Sequence, residues 1–213
     1  MKKKKAQAIF KSLKKIYPST KIALEFRDPL QILVATILSA QCTDKRVNIV
    51  TKELFKKYKT AKDYAEADLK TFQEQICSTG FYRNKAKNII NAAKKIVAEY
   101  GAKVPSAMEE LIKLPGVARK TANIVLYNGF GRIEGIAVDT HVRRLSQRLK
   151  LSKHDDPVKI EQDLMKLFDE SQWGEISNLL ISHGRNICIA RNPKCCVCVI
   201  EKLCPSSTLR SSA

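Results

Sequence analysis

Along most of this chain apolar residues recur every three or four positions, the spacing of one helix face, and no stretch alternates with period two for long enough to make a convincing strand. Asp28-Pro29 supplies an N-cap and a first-turn proline for a helix that is apolar almost all round (Leu30, Ile32, Leu33, Val34, Ile37, Leu38). A helix with no polar face belongs in the middle of a core. Ala86, Ile89, Ile90, Ala93, Ile96 and Val97 form the stripe of an amphipathic helix that Gly101 ends. Ser106 and Glu109 have the spacing of a capping box, predicting a short helix through Leu111 and Ile112. Asp156-Pro157 opens another helix, with Ile160, Leu164, Leu167 and Phe168 on one face. The short, glycine-bearing stretch Gly129–Gly135 (GFGRIEG) suits either a crossing between two subdomains or an ordinary loop. The pattern predicts an all-α fold.

Two helices flank the segment LPGVARKTA, residues 114–122. A proline-glycine turn there would present the N–H groups and positive dipole end of the second helix, a ready phosphate site that reads no base edges. An ordinary αα-hairpin fits the same residues. Lys120 falls in the first turn of that helix, where the dipole opposes an ammonium and favours a nucleophilic free amine. A solvated lysine is the plainer reading in so basic a chain. Asp139, in GIAVDTHVRRL, stands at the start of the next helix, where N-capping alone would account for it. His141, His154 and His183 lack ligand spacing; His141 and His183 read as hydrogen-bonded structural residues.

Charge narrows the function. The chain has 213 residues, enough for one large domain or two small ones, with 39 Lys+Arg against 21 Asp+Glu and a formal charge of +18. A field of that size attracts polyanions, nucleic acid first and an acidic membrane surface second. The longest apolar stretch, Leu30–Leu38, is interrupted by Gln31 and Thr36 and falls far short of the ~20 residues a membrane span needs. Lys2–Lys5 is followed by no apolar run of signal-peptide length. Seven cysteines in a chain without a secretion signal point to a reducing compartment and metal ligation.

Five of those cysteines lie within seventeen residues, too dense for scattered core thiols. Cys188, Cys195, Cys198 and Cys204 read C-x6-C-x2-C-x5-C, with Cys196 as an extra thiol. A four-cysteine zinc site normally uses two short knuckles, and only Cys195 and Cys198 form one here. The spacing therefore favours a [4Fe–4S] cluster over zinc.

LPGVARKTA, then VDTH, then the four-cysteine run, together with LSAQCTD at residues 38–44, resemble in order and spacing the endonuclease III family of the helix-hairpin-helix DNA glycosylase superfamily. The resemblance covers essentially the whole chain. It implies two helical lobes with DNA between them: a six-helix barrel over 22–132 with the hairpin motif at about 106–130, and a cluster lobe of 1–21 plus 133–213 whose cluster loop is 188–204. It places Lys120 on the Schiff-base nucleophile, Asp139 on the catalytic carboxylate, and Cys188, Cys195, Cys198 and Cys204 on the cluster ligands. Gln41 falls on the residue that fills the gap left by a flipped nucleotide, and Phe81 on the wedge, where the family usually has Leu. Leu114, Gly116 and Ala118 of the hairpin, and Arg191 and Lys194 of the cluster loop, would face DNA. Ala118 departs from the family's second hairpin glycine. The implied activity is a bifunctional glycosylase and abasic-site lyase of base excision repair, acting on oxidised pyrimidines or abasic sites in double-stranded DNA, as a cytoplasmic, nucleoid-associated prokaryotic monomer. A monofunctional mismatch glycosylase for thymine or adenine is the rival within the superfamily, and Lys120 argues against it. A non-catalytic DNA-binding module and a redox carrier are rivals of other classes.

Overall fold

A computed structural model describes residues 2–209, and among these every regular element is helical. The α-helices are α1 (Lys2–Ile16), α2 (Pro29–Leu38), α3 (Asp44–Lys57), α4 (Ala61–Ala65), α5 (Leu69–Ile76), α6 (Tyr82–Glu99), α7 (Met108–Leu111), α8 (Arg119–Phe130), α9 (Thr140–Arg148), α10 (Pro157–Met165) and α11 (Trp173–Asn186), with short 3-10 turns between some of them. No helix among the described residues is long and apolar enough to cross a membrane. Contacts divide the chain into two units: Ile22–Glu134, and the described residues of Met1–Lys21 together with Gly135–Ala213. The second boundary falls at the end of the GFGRIEG stretch, whose first two residues still belong to α8.

In the unit Ile22–Glu134, α2 is the central helix. Asp28 caps it by accepting from the Gln31 N–H at 2.8 Å, Pro29 occupies the first turn, and every residue from Ile32 to Leu38 is buried. Having no polar face, α2 is covered by α3, α6 and α8. Gly129 permits the α8 approach, because a Cβ there would stand 3.2 Å from Ile32 Cγ2 and from Pro29 Cα. The α6 stripe is buried at Ala86, Ile89, Ile90, Ala93 and Ile96. Val97 departs from the expectation at 36% exposed: it shares the stripe but lies in the last turn, where the stripe reaches the unit's surface. The expected capping box also fails. Ala107, in extended backbone, is the N-cap of α7 and no side chain caps it. Ser106 sits one residue too early, and its Oγ accepts instead from Arg132 at 3.4 Å. Ile112 falls past the end of α7 and is exposed.

In the other unit α1 buries Ala6, Ile9, Phe10 and Leu13 in a core shared with α9, α10 and α11. Asp156 caps α10 with Pro157 in its first turn, and Ile160 and Leu164 are buried. The helix ends at Met165, so Leu167 and Phe168 reach the core from the turn beyond it; the Phe168 ring lies 6.4 Å from that of Phe10. Burying each such large apolar side chain stabilises its unit by roughly 1.5–3 kcal/mol.

Candidate functional site

The hairpin between α7 and α8 is a tight reversal. The Val117 N–H donates to the Leu114 carbonyl at 3.1 Å, and Gly116 takes φ +78°, a left-handed conformation that costs a side-chain-bearing residue. Leu114 is buried and anchors the turn in the core, and its carbonyl is taken by the Val117 N–H. Gly116 and Ala118 are exposed. Ala118 is the N-cap of α8 and cannot cap it through a side chain. Helix geometry leaves the leading N–H groups of α8 without carbonyl partners inside the helix, the condition for receiving a phosphate oxygen. Lys120 is the second residue of α8 and half-buried.

Gln41 and Phe81 occupy two other loops of the same unit. Both have left-handed backbone, φ +52° and +48°, and both side chains are exposed, Phe81 at 65%. The two loops meet at Lys85, a buried lysine on α6 whose Nζ donates to the Leu38 carbonyl at 2.7 Å and the Thr79 carbonyl at 2.8 Å. Burial draws its ammonium below the ordinary lysine range, partly opposed by the nearby Cys42.

Asp139 lies in the other unit as the N-cap of α9. Its Oδ1 accepts from the His141 and Val142 N–H groups, each at 2.8 Å. Along α9, Arg144 donates to the carbonyls of Gly184 and Cys188, at 2.8 and 2.9 Å. Arg148 donates to the Cys188 thiol at 3.3 Å and to the carbonyls of Ile189 and Ala190, at 2.7 Å each. Gly184 allows this packing, since a Cβ there would stand 3.0 Å from His141 Cβ. His141 contacts Arg144 through Nδ1 at 3.2 Å, so its structural role holds.

Cys188, Cys195, Cys198 and Cys204 line one cavity, with Arg148, His183 and Lys194 also on its wall. Cys196 is exposed and does not line it. Among the described residues no group of three or more His, Cys, Asp or Glu side chains is placed to hold a metal ion. Burial, with the charges of the neighbouring thiols and against a hydrogen bond from Ile200, pushes Cys198 up to about 11. Cys204 is raised in the same way. At Cys195 burial is outweighed by hydrogen bonds from Thr208 and Ser207 and by Arg148, and the thiol is lowered. Burial holds His183 down to about 4, so it is neutral at pH 7, with Nε2 3.3 Å from Cys198 Sγ.

The fold thus gathers the four cysteines and links the Gln41 and Phe81 loops, while Lys120 and Asp139 stand at helix N-termini of different units. Arg191 and Lys194 are exposed on the cysteine loop. Three cations escaped the sequence reading: Lys85, Arg144 and Arg148. Lys85 left a signal, because it falls at the helical spacing of the buried Ile89, Ala92 and Ile96.

Residues 34–170 match the family model for HhH-GPD superfamily base excision DNA repair proteins. Endonuclease III of Synechocystis sp. is 54% identical over 97% of this chain and 94% of its own. A solved non-covalent endonuclease III–DNA complex superposes with a TM-score of 0.93 at 40% identity, covering 99% of each chain. A trapped covalent intermediate of endonuclease III with DNA gives the same TM-score and identity over 98% of each. This chain belongs to the HhH-GPD superfamily of base excision DNA repair proteins, in its endonuclease III branch.

Proposed function

We propose that the protein is a bifunctional DNA glycosylase and abasic-site lyase that removes oxidised pyrimidines from double-stranded DNA. The observation that carries this is Lys120, the second residue of α8 directly behind the Gly116 turn. A primary amine in the first turn of that helix, next to the N–H groups suited to a phosphate, supports its reading as the nucleophile toward the sugar. Phosphate contacts along the hairpin and a net charge of +18 supply affinity without sequence preference. A damaged base must leave the duplex to be reached, at a cost of roughly a few kcal/mol that is smaller where pairing is weakened. Gln41 fills the space vacated and Phe81 wedges the neighbouring stack. The Lys120 Nζ then attacks C1′, the C1′–N bond breaks, and the base departs with that electron pair and a proton. Asp139 accepts a proton or stabilises the developing positive charge on the sugar. The attached Nζ, now an ammonium, loses an N–H proton, and the pair so freed forms C1′=N as the C1′–O4′ bond breaks and O4′ takes up a proton; the resulting imine acidifies C2′–H. Loss of that proton expels the 3′ phosphate by β-elimination and cuts the strand.

Cys188, Cys195, Cys198 and Cys204 suit a [4Fe–4S] cluster. Four soft thiols line one cavity, and the mutual repulsion of their thiolates is what a cationic core relieves. When bound, such a group cross-links the loop and holds Arg191 and Lys194 toward phosphates. No step of the base chemistry runs through it.

The test is borohydride trapping. Wild-type protein is expected to become covalently attached to an abasic or thymine-glycol duplex. Lys120→Gln, with no amine, is expected to bind the duplex but neither trap nor cleave. Full trapping by Lys120→Gln would assign the nucleophile elsewhere.

A further inference from the structure

Among the described residues no other lysine or arginine is buried as Lys85 is, at 4% exposed, and its two hydrogen bonds are specific in what they join. Leu38 is the last residue of α2, and the chain from it runs directly to Gln41. Thr79 ends the 3-10 turn Cys77–Thr79, and Gly80 and Phe81 follow with φ of +69° and +48°. Both carbonyls are helix-end acceptors that lack partners inside their own helices. A carbonyl at a loop can be satisfied by water, whereas burying an ammonium is expensive unless it bonds well. Core packing alone would be served by an apolar residue at position 85, as at Ile89 and Ile96. A left-handed residue other than glycine also persists only where its surroundings over-determine it. The Lys85 ammonium bonds the residue three before Gln41 and the residue two before Phe81.

We propose that Lys85 is a positioning residue that fixes the spacing between Gln41 and Phe81, so that both enter a damaged duplex as one rigid unit. The proposal rests on the reading of Gln41 and Phe81 as the gap filler and the wedge. Lys85 touches no DNA. It acts through the backbone at Leu38 and Thr79.

Lys85→Met keeps the stem and removes the donors. Equilibrium binding is measured on an undamaged duplex and on one carrying a tetrahydrofuran abasic analogue. Affinity for the analogue duplex is expected to fall roughly tenfold or more, the scale of an orphaned buried acceptor, with undamaged affinity held within about twofold. Lys85→Arg, which retains charge and donors, is expected to recover most of the loss. Should Lys85→Met fail to fold, Lys85→Gln, which can still reach one carbonyl, is read in the same assay. Amide exchange in that variant is expected to quicken over residues 39–43 and 77–82 and to stay unchanged in the cysteine loop. Equal losses on both duplexes, or no loss on either, overturn the proposal. Gln41→Ala and Phe81→Ala are run beside it. If they lose preference for the analogue and Lys85→Met does not, only the role of Lys85 fails. If neither does, the reading of the two loops fails with it.

Discussion

Gly116 lies so close to Asn88 that a Cβ on Gly116 would stand 2.8 Å from Asn88 Cβ and 2.9 Å from its amide nitrogen. The hairpin turn is therefore seated on α6, and glycine serves there twice, for its φ of +78° and for this approach. Gly116→Ala meets both penalties. It is expected to cost roughly 1–3 kcal/mol of stability, read as a lower thermal midpoint, because strain and overpacking each contribute on that scale. Binding to damaged and undamaged duplexes should weaken by similar factors, since the hairpin contacts backbone. An unchanged melting curve with selective loss on damaged DNA would contradict this account.

Much of the fold was legible because its signals are local. Asp28-Pro29 and Asp156-Pro157 set helix starts through capping and a fixed proline φ, and both starts stand where the residues put them. The stripe of α6 was legible for the same reason. Ser106 misled because a capping box is defined by spacing, while the true start was set by the extended backbone of Ala107. The sequence marked Lys120, Asp139 and the cysteines by residue type and order. It could not show that Lys85 bridges carbonyls 47 and 6 residues away, or that Arg148 reaches Ala190 across 42, since such pairings exist only once helices have packed.

The cysteine cavity distinguishes two neighbouring thiols. Cys195 lines it and Cys196, its neighbour, is exposed. Cys196→Ser is expected to leave a yellow-brown protein with about four iron per chain, whereas Cys195→Ser should lose iron or become insoluble, as befits one of four closed soft ligands. Iron and sulfide analysis with visible absorbance decides it. Stoichiometric zinc in a colourless wild-type protein would replace the cluster, and the reverse pattern in the two variants would shift the ligand register by one.

Arg191 and Lys194 are exposed cations on the same loop. If each neutralises a phosphate, log K for undamaged DNA falls linearly with log salt at ~0.9 per contact, and each alanine variant should flatten the slope by about that amount. Titrations at several salt concentrations measure it. Slopes identical to wild type in both variants would remove the cysteine loop from the DNA interface.

Asp139 has two roles open to it, and its two oxygens divide them. Both capping hydrogen bonds fall on Oδ1, from the N–H groups of His141 and Val142. In the catalytic reading proposed above, Oδ2 is the oxygen that would serve the sugar. Asp139→Asn keeps an acceptor at Oδ1 and puts an amide nitrogen in place of Oδ2, so the cap should survive, Asn and Asp being near-equal N-caps. The thermal midpoint and the affinity for an abasic-analogue duplex are expected to match wild type. Single-turnover excision should slow by roughly 100-fold or more, the scale for removing an acid–base or charge-stabilising group. Asp139→Ala supplies the contrast, because it removes both functions and should lose about 1 kcal/mol of stability with the same fall in rate. Turnover retained in Asp139→Asn beside a destabilised Asp139→Ala would make Asp139 a helix cap and nothing more.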